Sequence, residues 1–111
     1  MAIFITQARM SHDAVKNLVA KPEDRFSAVE KLVAAAGGKL LHYYVTTGDY
    51  DVLAISEAPD GADVVIAGMA AAASGAISHV VTTRAWSSSE FKTMAERAQK
   101  ALASYKAPGA A

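Results

Sequence analysis

Along this chain the apolar residues change period several times, and each change predicts an element. Residues 2 to 9 are rich in β-branched and aromatic side chains (Ile3, Phe4, Ile5, Thr6), the composition of a strand. Ser11, His12 and Asp13 follow as a helix start with an acid in the first turn, and that helix runs to Ala20. Lys21 and Pro22 interrupt it. Pro22 suits the first turn of a second helix, whose Phe26, Val29, Leu32, Val33 and Ala36 share one face before Gly37 and Gly38 end it. Two strands, Leu40 to Thr46 and Tyr50 to Glu57, flank Gly48 and Asp49, a two-residue hairpin signal. Asp60 caps an alanine-rich helix that reaches Ala73 and is stopped by Ser74 and Gly75. Ile77 to Ala85 is the last strand. Ser87 and Glu90 then form a capping box, with Trp86 and Phe91 as its hydrophobic staple, and open a closing helix through Met94, Ala98, Ala101 and Leu102.

The order is β-α-β-β-α-β plus a C-terminal helix. This predicts an α+β, ferredoxin-like domain, a four-stranded antiparallel sheet with helices on one face. Residues 1–105 make one domain, and 106–111 (Lys-Ala-Pro-Gly-Ala-Ala) are a flexible tail with nothing to bury. At 111 residues and 52% hydrophobic, the chain suffices for one core and is too short for two.

Charge changes the picture mainly by exclusion. Eleven basic and eleven acidic residues are scattered along the chain, so no footprint for nucleic acid or an anionic membrane stands out. No cysteine is present, which excludes disulfides, thiolate metal sites and cysteine nucleophiles and fits a reducing cytoplasm. The N-terminus reads directly as a strand, without the pattern of a signal peptide. The longest apolar stretch, between Asp63 and His79, is roughly fifteen residues, short of a membrane span.

Three segments carry a family resemblance: Tyr44-Val45-Thr46-Thr47-Gly48-Asp49-Tyr50-Asp51, then Glu57-Ala58-Pro59-Asp60, then Thr83-Arg84-Ala85-Trp86-Ser87 with Glu90-Phe91. With the opening Phe4-Ile5-Thr6, the chain resembles the GYD-domain proteins over roughly Met1 to Lys100. These are small bacterial domains named for a Gly-x-Tyr-Asp element, here Gly48, Tyr50 and Asp51. The resemblance implies a ferredoxin-like fold and kinship with the dimeric α/β-barrel group, whose members press two sheets together. It implies a family of unsettled function and assigns no catalytic residue. His42 and His79 stand at strand positions where the family pattern does not lead one to expect histidine.

With Gly48 and Asp49 as the loop, Thr46 lies opposite Asp51, Tyr44 opposite Leu53 and His42 opposite Ile55. Alternation then puts Leu40, His42, Tyr44, Thr46, Asp51, Leu53 and Ile55 on one face, and Leu41, Tyr43, Val45, Tyr50, Val52 and Ala54 on the other. The second set is drier and is assigned to the helix-covered core. The first becomes the open face, where His42, Tyr44 and Asp51 are the candidate ligand-binding residues: histidine and carboxylate for proton transfer, tyrosine as hydrogen-bond donor. The competing reading makes Asp51 a hairpin cap, Tyr44 part of a subunit seam and His42 a tolerated substitution.

His79 and Arg84 have opposite parity on their strand, so a bulge is required to bring them to one face. His42 and His79 fall on opposite edges of the sheet, and no compact ligand spacing exists, so neither a metal site nor a cofactor is expected. His12, in the first turn of its helix, reads as solvated. Gly48 to Asp51 lacks the glycine spacing and the following helix of a phosphate loop.

The leading expectation is a homo-oligomer, a dimer or a multiple of dimers. It binds a small apolar or aromatic metabolite at the sheet face, with no nucleic-acid or membrane partner. The alternatives are a cofactor-independent enzyme, performing proton transfer or an oxygen-dependent step with His42, Tyr44 and Asp51, and a structural adaptor subunit.

Overall fold

The computed structural model describes residues 1–109. Its elements run β1 (Ala2–Met10), α1 (His12–Ala20), α2 (Phe26–Ala35), β2 (Lys39–Val45), β3 (Val52–Ala58), α3 (Gly61–Ala73), β4 (Ile77–Ala85) and α4 (Ser88–Ser104). The four strands form one antiparallel sheet in the order β2-β3-β1-β4. This is the expected ferredoxin-like α+β arrangement, with β2 and β4 as its edges.

Local chemistry explains the boundaries. Ser11 accepts from the Ala14 amide to cap α1, and Asp60 accepts from the Ala62 amide to cap α3. At α4 the capping box is complete: Ser87 Oγ accepts from Glu90 N, and Glu90 Oε1 accepts from Ser87 N. After α2 the chain turns through Gly37 at φ +102°, a left-handed conformation that favours glycine. Two expectations about element ends need correction. Pro22 lies outside α2, which begins at Phe26 because the Asp24 carboxylate takes the Phe26 amide in a local turn. The hairpin loop is also longer than two residues. Thr46 N donates to Asp51 O and Thr46 Oγ1 donates to Tyr50 O, closing a loop around Gly48 and moving the start of β3 to Val52.

The core lies between the sheet and its helices, in two clusters. Phe4, Ala58 and Val64 make one. Val33, Leu40 and Ala67 make the other, with Phe26, Leu32, Tyr43 and Ala54 packed around them. Leu40 thus belongs to the core and not to the open face as the simple alternation predicts. The cause is a bulge: Leu40 pairs with Ser56 and His42 with Ile55, so Leu41 is an extra residue that reverses the parity on its N-terminal side. Beyond the bulge the expected pairs His42 with Ile55 and Tyr44 with Leu53 are present.

A second irregularity lies between β1 and β4. Gln7 pairs with Val81 and Arg9 with Ser78, which leaves one surplus residue on β4. His79 sits there at φ +53°, the left-handed conformation that lets a strand absorb the extra residue. The bulge that His79 and Arg84 would need is therefore present, and it is made by His79 itself.

The helix α4 has no buried residue. The molecule is 67 Å long with a radius of gyration of 18.4 Å, against about 13 Å for a compact domain of this size. The closing helix accounts for the difference, because it projects from the end of the sheet.

Candidate functional site

The strand pairings define what each face of the sheet offers. Phe4, Ala8, Val52, Ser56 and Ala58 are buried under the helices, so their alternates Ile3, Ile5, Leu53 and Ile55 face the other way, into a surface that no helix covers. Val81 of β4 pairs with Gln7 and joins this open face. Its centre is apolar. Polar groups stand around it: Lys39 opposite Glu57 on one side, and Gln7 and Arg9 toward the far end of β1.

His42 and Tyr44 project from β2 on this same face, at the edge of the apolar centre. Their rings stack, with centroids 6.1 Å apart and planes 11° from parallel. Tyr44 remains 53% exposed, so the pair presents a flat aromatic surface to whatever approaches.

Asp51 does not join them. Its Oδ2 accepts from the Met10 amide at 2.8 Å, and its own amide donates to Ala8 O at 2.9 Å. The carboxylate continues the β1–β3 ladder by one side-chain bond just where β3 gives way to the loop. Along the strand it lies about 13 Å from Ile55, the partner of His42, and about 7 Å from Leu53, the partner of Tyr44, at the usual rise of a strand. The structure stacks His42 on Tyr44 and gives the Asp51 carboxylate a backbone amide to hold.

The remaining histidines are dispersed. His12 is exposed in the first turn of α1, and His79 Nδ1 lies 3.0 Å from Ser78 Oγ on the opposite edge from His42. Among the described residues no group of three or more metal-ligating side chains converges. Arg84 lies on the helix side, its guanidinium 5.7 Å from the Phe4 ring and 4.5 Å from the Trp86 ring. It also donates to Ala85 O. The sandwich fixes the turn from β4 into α4, a role for Trp86 beside the staple position it was assigned. Among the described residues no helix is long and apolar enough to cross a membrane.

On the other side of the sheet lies a feature that pattern reading missed. A cavity of 610 Å³ opens between the sheet and α1, α2 and α3. Its floor includes Ala8 and Ala54, with Val29 and Leu32 of α2 and Ala67 and Ala71 of α3 as walls. Four hydroxyl-bearing residues line it, Thr6, Tyr43, Ser56 and Ser74, and two of them stand out. Tyr43 is half-buried, and burial raises its phenol above the ordinary value of 10.0, partly offset by the nearby Arg25 charge. Thr6 Oγ1 is buried with no hydrogen-bond partner. The signal was available as alanine: small residues on facing strand and helix positions read as close packing but equally leave space between layers. A shallower cavity of 390 Å³ lies beside α3 over β4, lined by Val65, Met69 and Val80 among others.

A single α+β layer with one face covered and the other bare defines a class of ferredoxin-like sheet domains. Within that class the chain belongs to the GYD domain family, which matches residues 4–95. The segments expected to carry that likeness, from Phe4 through Phe91, all fall inside the match. Two solved structures are similar in outline. The crystal structure of FFRP-DM1 shares 16% identity, with 78% of this chain and 100% of that chain covered and a TM-score of 0.47. That of TTHA0845 from Thermus thermophilus shares 16% identity, with 79% and 96% covered and a TM-score of 0.46. At these values neither likeness bears on ligand or assembly. No curated protein matches the chain.

Proposed function

We propose that this domain acts as a subunit of a two-fold assembly in which the open faces of two sheets pair, with His42 and Tyr44 lining a small-molecule site at the edge of the seam. One observation carries the reading: Ile3, Ile5, Leu53, Ile55 and Val81 form a contiguous apolar face on a sheet that has no helix over it. Branched aliphatic side chains in such a row favour cover over water, and a second copy offers a self-complementary one. Two sheets packed face to face lie about 10 Å apart, room for interdigitated side chains at the centre. The stacked His42–Tyr44 pair stands outside that centre. Its planar surface and imidazole suit an apolar or aromatic metabolite with a polar group, either as ligand or, in an enzyme needing no cofactor, as substrate of a proton transfer.

Native mass spectrometry tests the assembly. The unmodified chain is expected as a dimer or a multiple of dimers, and Leu53→Lys or Ile55→Lys as a monomer with unchanged helical circular dichroism. Val81→Lys, on the exposed edge strand, gives the same answer should the central substitutions unfold the sheet. An unmodified chain that stays monomeric at tens of micromolar would overturn the proposal.

A further inference from the structure

The helix-side cavity supports a binding site separate from the open face. We infer that it accepts a neutral, apolar molecule of metabolite size that carries a carbonyl oxygen, held by the Tyr43 hydroxyl. The size is suitable, since 610 Å³ falls within the range of pockets that enclose drug-sized ligands. The lining is suitable too: alanine and branched aliphatic side chains from the sheet, α2 and α3 surround the space and recognise an apolar body by shape.

The polar groups narrow the chemistry. Tyr43 projects from β2 into the wall, and its hydroxyl makes no hydrogen bond among the described residues. Like any tyrosine near neutral pH the phenol is protonated and can donate, and burial pushes its ionisation further up. Arg25, at the same wall, is a donor as well, but its Nη1 is paired with Glu23 Oε1 at 2.8 Å. Lys21, Glu23 and Arg25 all stand at the solvent-facing mouth of the cavity, where water screens their charges. Inside, an ionised carboxylate would lose its hydration with only hydroxyls to replace it, which favours a neutral carbonyl acceptor. Thr6 Oγ1, buried and unpartnered in the floor, is a further hydroxyl that the fold itself does not use.

Prodan, a neutral naphthalene ketone whose emission shifts to the blue on leaving water, is the probe, with dimethylaminonaphthalene, lacking the ketone, as control. The full chain is expected to bind Prodan with a blue shift. Tyr43→Phe should weaken Prodan on the order of five- to tenfold, the worth of one hydrogen bond, and leave the control unchanged. Ala71→Phe should abolish binding of both by filling the space. Ala28→Trp, at the exposed rim, does the same should Ala71→Phe not fold. Leu53→Lys should bind Prodan as the unmodified chain does, which separates this site from the sheet pairing proposed above.

Several results would overturn the inference: no blue shift, equal loss of both probes in Tyr43→Phe, or binding that survives both cavity-filling variants. So would Prodan binding that falls as the chain is concentrated, because the cavity would then be taken by a second copy.

Discussion

Asp51 shows how one residue that looks chemical in sequence can also serve the architecture in space. A carboxylate beside a conspicuous tyrosine invites an acid–base reading, and one of its two oxygens, Oδ2, accepts from the Met10 amide. Replacing Asp51 by Ala leaves that amide without its partner. The expected cost is about 1.5–3 kcal/mol, as for hydrogen bonds to charged groups, read as a lower midpoint in urea. Unchanged stability would mean that the bond is not used. Thr6 predicts the opposite sign: Thr6→Val removes an unpartnered buried hydroxyl at nearly constant shape, so thermal stability should rise by about 1 kcal/mol. A capping role for Asp51 was one of the two readings of the sequence; its partner was not legible, because Met10 is 41 residues away, on a strand whose pairing had first to be known. The pairs His42 with Ile55 and Tyr44 with Leu53 were legible because they follow from a neighbouring turn. Leu40 was not, because a bulged residue carries no local mark that alternation can register.

Among the elements, those that end in a side-chain cap were the most legible. Asp60, Ser74 and the Ser87–Glu90 box bound α3 and α4 where the residue types place them. The start of α2 was less so, since a proline in a permissive position competes with the Asp24 turn just before the helix begins. The box at α4 also carries a pH signature. The Ser87 amide donates to Glu90 Oε1, and hydrogen bonding from the Ser87 backbone and then its side chain lowers the carboxyl below its ordinary value of 4.5. A carboxyl depressed in the folded state contributes above the unfolded value, and the contribution is lost as pH falls through the folded one. The Ser87 amide resonance should therefore titrate with a midpoint below 4.5, followed by fraying of the first turn of α4. Glu90→Gln keeps a capping oxygen and should remove the transition. A midpoint at or above the ordinary value would count against the box. The rest of α4 displays Phe91, Met94, Ala98 and Leu102 at helical spacing without burying any of them, so its stability rests on caps and on the single i,i+4 pair of Lys92 with Glu96.

At the level of the whole molecule, element order was enough for the fold: one helical crossover, a hairpin, a second crossover and a last strand leave few ways to close an antiparallel sheet. The cavity was not legible, because it depends on the distance between layers and not on the type of any one residue. The open face was legible as an apolar alternation, and the proposed pairing of two copies rests on it. Because the chain has no cysteine, a single introduced thiol can report on it. Spin labels at Thr83→Cys, exposed on the open side of β4, and at Ser27→Cys, exposed on α2, allow pulsed dipolar distances between copies to be compared. Sheets paired face to face put the labels at Thr83 closer across the assembly than those at Ser27, which are separated by both sheets and both helix layers, each about 10 Å deep. A shorter distance for Ser27, or no coupling at either site, would contradict the pairing of open faces.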